Sequence, residues 1–405
     1  MLPRVQRCIG VFLCLAFFTP PSAAQDRSGR ELVEVIIRDG PRARAINAEV
    51  EVTRREQFAR LVSPNPSVAY SREGAGFTEF LQLEQTLLPF GARGALSRAG
   101  AAATTAGEAE RDARLWQLRS EAETAIAHLV AEQDRVVSTE AAVRETERLV
   151  ETLRVREREG EGSRFDRLRA EQELADARLA LAGAVGGMHA ARAVLTALLP
   201  PDVVVTRVTI TSNPPRLSID TEALVSRAMA SRRELLVLKA AESRAVHEAE
   251  AARSVRRPAP TLTAGLKQAD TGRADRERGG FFGITVSMPL FDTGAREAAR
   301  WQAERSRVQA EFAHVERGIR AEIAGGAEVL AVRQAALASL PDDAAAEELV
   351  RTAEVGYREG EMGILGLLDA VRTAARARER NIEVRLGTRL AQIALERAVG
   401  EVLWP

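Results

Sequence analysis

Apolar residues recur at helical spacing over most of this chain. Between residues 92 and 159 two sets of positions each repeat every seven residues. The first set is Leu115, Ala122, Leu129, Val136, Val143 and Val150; the second is Leu118, Ala125, Glu132, Thr139, Thr146 and Leu153. A heptad sustained over several repeats predicts helices packed as a coiled coil. After residue 164 the same period continues at Leu174, Leu181, Met188 and Leu195, interleaved with Ala177, Ala184, Ala191 and Leu198. Alanine at such positions favours closely spaced helices.

Two short glycine-containing segments interrupt this helical pattern and predict the tips of helical hairpins. They contain Gly160, Glu161, Gly162 and Ser163 in one case, and Gly360, Glu361, Met362 and Gly363 in the other. Glycine disfavours helix interiors and permits a sharp reversal of the chain. Because the two segments lie 200 residues apart in a chain of 405, the sequence predicts an internal duplication.

Two other stretches alternate with period two and predict β-hairpins. In the first, Val68, Tyr70 and Arg72 share a face, and a Gly74-Ala75-Gly76 turn precedes Leu81 and Leu83. In the second, Leu262, Ala264 and Leu266 form one strand, and Phe282, Ile284, Val286 and Met288 form the other. A polar loop at 269–280 joins the two strands of the second hairpin.

The pattern divides the chain into a leader and two repeats. The first repeat, residues 25–220, comprises a helix interrupted at Gly40-Pro41, a β-hairpin at 67–88, a long helix at 92–159, a tip at 160–163, a helix at 164–199 and a bridge at 200–220. The second, residues 221–405, comprises a helix at 221–255, a β-hairpin at 261–289, a long helix at 294–358, a tip at 360–363 and a helix at 364–403. Gly325-Gly326 and Pro341 predict a bend or break in the second long helix.

Residues 1–24 predict a secretory signal peptide. Arg4 and Arg7 precede an apolar run at 8–18 that is too short to cross a bilayer, and Ser22-Ala23-Ala24 supplies small residues before the predicted cleavage site. No small residue stands immediately before Cys14, so acylation is not expected. The mature chain then lacks cysteine, which excludes disulfides and thiolate metal sites.

Composition and charge argue against several classes of function. The 57 basic and 57 acidic residues cancel, and there is no basic stripe that would indicate a nucleic-acid partner. The four histidines are scattered, and no nucleophile elbow or phosphate loop occurs. We therefore expect neither an enzyme, nor a cofactor, nor a metal site.

Aromatic residues lie in or beside the predicted strands, which is typical of an outer-membrane barrel. The residues expected to face lipid or form the aromatic girdle are Tyr70, Phe77, Phe80, Phe90, Phe281, Phe282 and Phe291. A small soluble hairpin cap is the alternative. Four strands cannot close a membrane barrel, and an unpaired edge is excluded from lipid. Two, three or four chains would therefore have to share one barrel.

The chain resembles the TolC-like outer-membrane efflux protein family over essentially its whole mature length. The resemblance rests on Leu88-Pro89-Phe90-Gly91-Ala92-Arg93 and its partner Pro289-Leu290-Phe291-Asp292-x-Gly294-x-Arg296, on Gly160-x-x-Ser163-x-x-Asp166-x-Leu168-x-Ala170, and on Tyr357-x-x-Gly360 with Leu368-Asp369-Ala370. Weaker features, the compact carboxyl end and the Pro-Phe-Gly-Ala-Arg form, resemble its heavy-metal-efflux branch.

The resemblance implies a mainly α fold with a small β part. It implies a homotrimer whose four strands per chain form a shared 12-stranded barrel in the outer membrane, above an α-helical barrel in the periplasm. The implied function is the exit duct of a tripartite efflux system. Its implied partners are a periplasmic adaptor and an inner-membrane pump of the RND type, together with outer-membrane lipid.

The resemblance also implies where the duct is gated. Acidic residues just beyond the tips, Asp166 and Asp369, would narrow the periplasmic entrance, and the eight tip residues would contact the adaptor. Adaptor docking would dilate the entrance. Each aspartate could instead simply favour the first turn of a helix through the helix dipole. The chain departs from the family at Gly366, where a further acid is common.

Two other classes remain open from the sequence. A periplasmic adaptor is also exported and also uses a coiled-coil hairpin, but it would have one hairpin flanked by β-domains. A coiled-coil scaffold without a pore would have no membrane strands.

Overall fold

The computed structural model describes residues 25–74, 78–210, 220–270, 276–341 and 343–404. The predicted signal peptide lies outside these residues, as do Phe77, most of the first hairpin turn and part of the second hairpin loop. The described residues form long helices and a small antiparallel sheet, arranged twice along the chain. The prediction of a mainly α, internally duplicated fold is confirmed.

The two repeats use the same order of elements. The first contains β1 (Gln25–Ser28), α1 (Gly29–Asp39), α2 (Pro41–Ala59), β2 (Ser67–Glu73), β3 (Thr78–Thr86), α3 (Ala92–Arg158), α4 (Arg164–Thr196) and β4 (Val205–Thr209). The second contains α5 (Thr221–Ser231), α6 (Arg233–Arg253), β5 (Ala259–Asp270), β6 (Arg276–Ser287), α7 (Ala295–Ala338), α8 (Asp343–Arg358) and α9 (Ile364–Val399).

Helix α3 is the longest element and spans the whole helical part of the molecule. Its 67 residues extend about 100 Å at 1.5 Å per residue. The predicted seam is buried at both ends of the coiled coil, from Leu118 to Leu129 and from Val143 to Leu153. Between them the seam is polar, and Arg135 there pairs with Glu132 and with Glu379 of α9. In this polar part of the coiled coil, an ion pair between side chains of α3 and α9 therefore joins the two repeats.

Three apolar cores hold the helices together. One lies around α1, the middle of α3 and the end of α4, and includes Leu32, Leu129 and Leu195. Its counterpart in the second repeat joins α5, α7 and α9 and buries Trp404. The third lies near the tips, where Leu153 of α3 packs in the same cluster as Leu367 of α9. Both hairpins are thus packed together where each reverses.

The helices form a curved layer with two uncovered sides. Toward the tips the order of packing is α4, α3, α9, α8, and toward the sheet it is α2, α3, α6, α7. Helix α4 packs mainly on α3 and leaves Leu168, Leu179 and Val194 exposed. It is the one described helix long and apolar enough to cross a membrane by length and composition. On the opposite side Val332 of α7 and Val355 of α8 are exposed.

The strands β2, β3, β5 and β6 form one antiparallel sheet in that order. The two hairpins are joined by β3 and β5, with Phe80 opposite Lys267 and Leu81 opposite Leu266. Strands β2 and β6 each have one neighbour among the described residues, so both edges of the sheet are open. An open edge exposes a row of unpaired backbone N–H and C=O groups.

The two faces of this sheet differ in polarity. Side chains alternate between faces along a strand, so the registers assign every residue to one face. One face carries apolar side chains that are strongly exposed, including Val68 (71%), Leu266 (64%) and Phe282 (69%). The other face carries threonine, serine, glutamine and glutamate at most positions. We call these the apolar face and the polar face.

Two breaks in the helices differ from the sequence prediction. The helix predicted at 221–255 is divided at Arg232, whose backbone is extended. The buried Arg232 side chain pairs with Glu322 of α7 at 2.6 Å, so a long-range ion pair accompanies a break that no local residue signals. In the second long helix a break occurs around Pro341, as expected. None occurs at Gly325-Gly326, which lie inside α7, and the expectation of a break there was wrong.

A second, two-stranded sheet lies beside the first core. Strand β1 pairs in parallel with β4, with Arg27 opposite Val208 and Ser28 opposite Thr209. The β-branched run in the bridge indicated β4, but nothing in the sequence indicated β1, because its strand partner lies about 180 residues away along the chain. Strand β4 contacts α3, so this sheet holds residues 25–28 beside that helix.

Each long helix begins directly after a glycine in the left-handed region, Gly91 (φ 70°) and Gly294 (φ 69°). The Gly294 amide donates to Asp292 Oδ1 at 3.0 Å. A Cβ at position 294 would lie 2.0 Å from the Ala252 carbonyl oxygen, which is backbone and cannot move aside cheaply. The chain therefore passes from sheet to helix through a turn that requires glycine.

We predict that Gly294→Ala destabilises the protein by more than the ~1–2 kcal/mol that a left-handed non-glycine residue costs, because the clash with Ala252 adds to it. The measurement is thermal unfolding of the detergent-solubilised protein, followed by helical circular dichroism. Gly318→Ala is the matched control. It lies inside α7 with open space around a new Cβ, and it should be neutral or stabilising. Equal melting temperatures for the two variants would contradict the requirement for glycine at position 294.

Candidate functional site: the hairpin tips

The two tips end their incoming helices in the same way. In the first, Gly160 has a φ of 80°, the Glu161 amide donates to the Arg156 carbonyl at 2.9 Å, and the Gly160 amide donates to that of Glu157 at 3.2 Å. In the second, Gly360 has a φ of 79°, and the equivalent bonds run from Glu361 and Gly360. This is the Schellman pattern, in which a left-handed glycine closes a helix. The duplication thus extends to individual backbone hydrogen bonds.

The outgoing helices begin differently. Ser163 caps α4, accepting a hydrogen bond from the Phe165 amide at 3.1 Å, whereas Gly363 provides no side-chain cap for α9. Beyond the second tip, a Cβ at Gly366 would lie 2.7 Å from the Met362 side chain. Glycine at 366 therefore leaves room for Met362 to fold back onto α9, which gives a local reason for the missing acid at that position.

A tyrosine of the second tip reaches the aspartate beyond the first. The Tyr357 hydroxyl donates to Asp166 Oδ2 at 3.3 Å, and the Arg156 guanidinium lies 5.4 Å from the centre of the Tyr357 ring. Burial, and then the negative charge of Asp166, raise the pKa of Tyr357 above its ordinary value. This hydrogen bond joins residues 191 apart in sequence and ties one hairpin to the other.

Ion pairs surround this link. Within the first hairpin Arg167 pairs with Glu157 of α3 and, at 2.8 Å, with Glu171. Hydrogen bonding to Glu157, and then to Glu171, raises the pKa of Arg167. Between the hairpins Arg372 of α9 donates from Nε to Glu173 of α4 at 2.8 Å. Of these side chains the one of Arg372 is exposed and the others are half-buried, and the pairs fix the relative position of the helices.

The two predicted constriction residues have different surroundings. Asp166 is half-buried in the first turn of α4, where it accepts the hydrogen bond from Tyr357. Asp369 is exposed and lies in the second turn of α9, beyond the turn where the helix dipole acts. It helps to raise the pKa of Arg372, after the larger effect of Glu173. Within one chain the structure brings Asp166 to Tyr357, but it does not place Asp166 against Asp369.

The contact of Tyr357 with Asp166 was not predicted from the sequence, although Tyr357 belongs to one of the tip motifs. The tips are offset by 200 residues, so Tyr357 corresponds to Glu157, and Asp166 to Gly366. The Tyr357–Asp166 bond has no equivalent in the other half of the duplication. No local pattern could therefore have indicated it.

The predicted tip residues are all at the end of the molecule opposite the sheet. Gly160, Glu161, Ser163, Gly360, Glu361, Met362 and Gly363 are exposed, and Gly162 is half-buried. No backbone or side chain of another element covers them among the residues described, so the tips form a free charged surface. Contact with an adaptor stays a prediction.

The residues predicted to face lipid divide between the two faces of the sheet. Tyr70 and Phe282 lie on the apolar face and are exposed, while Phe90 and Phe291 are exposed just beyond the strands that precede the long helices. Phe80 and Phe281, however, lie on the polar face, since Phe80 is opposite Lys267 and Phe281 is opposite Gly265. The strand register therefore separates these two rings from Tyr70 and Phe282, and their contact with lipid stays a prediction. Phe77 lies outside the described residues.

Among the described residues no group of histidine, aspartate and glutamate side chains could hold a metal ion. An open cleft of about 730 Å³ lies between α3, α4 and α9.

Comparison with known proteins shows what this sequence and this fold are similar to. Residues 224–401 match the family model described as outer membrane efflux protein. No curated protein matches the sequence. The fold is similar to a membrane protein from Pseudomonas aeruginosa, at 20% identity and a TM-score of 0.72, over 99% of this chain and 100% of that one.

Two named outer-membrane proteins have the same fold. VceC from Vibrio cholerae matches at 18% identity and a TM-score of 0.69, covering 92% of this chain and 96% of its own. The CmeC outer membrane channel of Campylobacter jejuni matches at 13% identity and a TM-score of 0.73, covering 99% and 95%. The second repeat is thus an outer membrane efflux protein domain, and the whole chain has the corresponding fold. The resemblance predicted from the sequence is confirmed.

The raised pKa of Tyr357 gives a test of its bond to Asp166. The neutral phenol is favoured in the folded state, so the bond contributes stability below the ordinary tyrosine pKa of 10.0 and loses it as the pH rises through the raised value. We predict that Asp166→Asn lowers the pKa of Tyr357, because the second cause of the shift is removed while burial remains. The measurement is the ultraviolet absorbance of the phenolate during an alkaline titration.

Tyr357→Phe is the control for this titration, since it leaves Tyr70 as the chain's remaining tyrosine, and the difference between variants isolates Tyr357. An unchanged Tyr357 titration in the Asp166→Asn protein would show that the two side chains do not interact.

Proposed function

We propose that this protein is the outer-membrane exit duct of an efflux system, conducting substrate passively from the periplasm and gated at its tips. The observation that carries the proposal is the four-stranded sheet. One face is apolar and exposed, the other is polar, and both edges are open. Such a sheet is stable in lipid only as part of a closed barrel with its apolar face outward.

The closure needs further copies of the chain. A single-chain membrane barrel has about eight strands or more, and this chain contributes four to the sheet. Edge β6 of one copy would pair with edge β2 of the next. The helices agree with this arrangement, because exposed apolar side chains of α4 on one side, and of α7 and α8 on the other, would also meet between copies. The TolC-like fold favours three copies and twelve strands.

The outer membrane is the location that the family and the fold assign to the chain, with the helices in the periplasm. The hairpin turns of the sheet lie away from the helices and would face the exterior. The free tips, about 100 Å away along α3, would meet an adaptor connected to an inner-membrane pump. Membership of the heavy-metal-efflux branch and the RND type of the pump stay predictions.

The closed state of the duct would depend on the bond between Tyr357 and Asp166. Helices α8 and α9 pack on each other, and α4 meets α9 mainly near the tips. Parting of the two hairpins would therefore require loss of this bond and of the Arg372–Glu173 pair. Asp369, exposed beside Arg372, would contribute negative charge to the opening. A periplasmic adaptor or a scaffold without a pore does not account for the exposed apolar face of the sheet.

The oligomer is tested first. We predict that the protein fractionates with the outer membrane and that unheated detergent electrophoresis gives a band of about three chains, which heating converts to one. The reason is that strand pairing between copies resists detergent until the barrel melts. A monomer in the soluble periplasm would contradict the proposed function.

The gate is tested by conductance in planar bilayers. A hydrogen bond to a charged group contributes about 1.5–3 kcal/mol, and 1.4 kcal/mol is a factor of about ten. We therefore expect Tyr357→Phe to raise the open fraction about tenfold. Tyr70→Phe is the matched control, because the Tyr70 hydroxyl also donates to a carboxylate, Glu79, at 3.2 Å, but in the sheet. Equal conductance in both variants, with intact oligomers, would show that Tyr357 takes no part in gating.

A further inference from the structure

The polar face of the sheet carries two aromatic rings and one lysine among its small polar side chains. The registers place Phe80 of β3, Lys267 of β5 and Phe281 of β6 on this face, close to the hairpin ends of the strands. In the proposed barrel the polar face lines the lumen. In that barrel these three residues would not contact lipid, and they would face the inside of the channel.

The three side chains form one compact cluster. The rings of Phe80 and Phe281 are 6.2 Å apart and nearly perpendicular, and Lys267 Nζ lies 5.4 Å from the centre of the Phe80 ring. Gly265 makes this possible, because a Cβ there would lie 2.8 Å from the Phe281 ring. The ring thus lies over bare backbone, which orients it across the sheet.

The cluster borders an open recess. Opposite Lys267 on β6 is Gly279, and a Cβ at that position would meet no atom within 4 Å. Along its own strand Lys267 is flanked on the polar face by Gly265 and Ala269. Small residues, Gly265, Ala269 and Gly279, therefore surround Lys267 on the polar face, and its ammonium group lies toward the Phe80 ring.

The charge of this lysine is not neutralised nearby. Within the described part of the chain no carboxylate lies within 4 Å of Lys267, whereas many arginines on the helices have such a partner. The carboxylates of the polar face stand in other register rows. Glu73 and Glu277 lie one row nearer the hairpin ends, and Glu84 lies further toward the helices, where Gln82 donates to it at 2.8 Å.

We propose that this recess is a binding site in the lumen for aromatic anions, with Lys267 taking the anionic group and Phe80 and Phe281 contacting the ring. The proposal rests on the proposed function, because only the closed barrel makes the polar face a lumen and repeats the recess in every copy. The small residues around Lys267 leave room for a planar ring, and aromatic side chains favour offset or edge-on contact with such a ring. The ammonium group supplies the charge that complements an anion.

The site would be weak, as an exit route requires. One exposed ion pair changes binding by about two- to fivefold and one aromatic contact by about two- to tenfold. Cargo would therefore pause at the recess and leave. Conduction requires binding that is favourable enough to enter and weak enough to release.

The chain offers an internal control for a chemical test. It has two lysines, Lys239 and Lys267, and each lies over a phenylalanine, since Lys239 Nζ is 5.8 Å from the centre of the Phe312 ring. Lys239, however, belongs to α6 and not to the sheet. We would acetylate the detergent-solubilised oligomer with an amine-reactive ester and measure modification of both lysines by peptide mass spectrometry.

The probe is naphthalene-1-sulfonate, compared with methanesulfonate and with a naphthyl trimethylammonium cation. We expect naphthalene-1-sulfonate to slow acetylation of Lys267 about threefold at near-saturating concentration, with Lys239 unaffected and the other two probes without effect. Phe281→Leu should abolish the protection while leaving Lys267 reactive, because it removes the ring contact but not the charge.

Each other outcome has a definite meaning. Equal protection of both lysines, or equal protection by methanesulfonate, would contradict a site for aromatic anions. Protection by the naphthyl cation would show that Glu73 and Glu277 dominate, which also contradicts it. Unheated electrophoresis of the same sample shows whether a negative result concerns the recess or the proposed function as a whole. Absence of an oligomer contradicts the shared barrel, whereas an oligomer without selective protection contradicts the recess alone.

Discussion

The unpaired backbone of the two sheet edges is the constraint on which the rest of this structure depends. In lipid an unsatisfied N–H or C=O group costs several kcal/mol, and β2 and β6 each present a row of them. In the proposed barrel a single copy of the chain would therefore be incomplete. The exposed apolar face of the sheet and the exposed apolar side chains of α4, α7 and α8 follow from the same cause, because all of them are surfaces that neighbouring copies or lipid would cover.

The long helices separate the sheet from the hairpin tips by about 100 Å. At one end glycines in the left-handed region turn the chain from strand to helix without adding bulk, as at Gly294, where the Ala252 carbonyl leaves no space. At the other end glycines with the same conformation end α3 and α8. Between them a polar stretch interrupts the apolar seam, and Arg135 there pairs with Glu379. A rigid connection of this kind lets a change at the tips act on the entrance while the sheet stays intact.

Duplication gave the chain two nearly equal hairpins, but its tip interactions are asymmetric. Both tips share backbone hydrogen bonds, yet Tyr357 has a glutamate as its counterpart and Asp166 has a glycine. The bond between them is thus possible only between unlike halves. Asymmetry of this kind lets one hairpin hold the other, which two identical hairpins could not do with this pair of residues.

The sequence by itself determined the helices, the hairpins and the duplication, because heptad spacing, alternation and glycine positions are local signals with a direct physical cause. It also indicated the class of protein through motifs at the strand-to-helix turns and the tips. Tertiary structure alone decided the rest. The register of β3 against β5 moved Phe80 and Phe281 to the polar face, since a residue's face depends on its strand's pairing and not on its hydrophobicity. The break at Arg232, the pairing of β1 with β4, and the bond from Tyr357 to Asp166 all join residues far apart in the chain, and no local pattern carries such information.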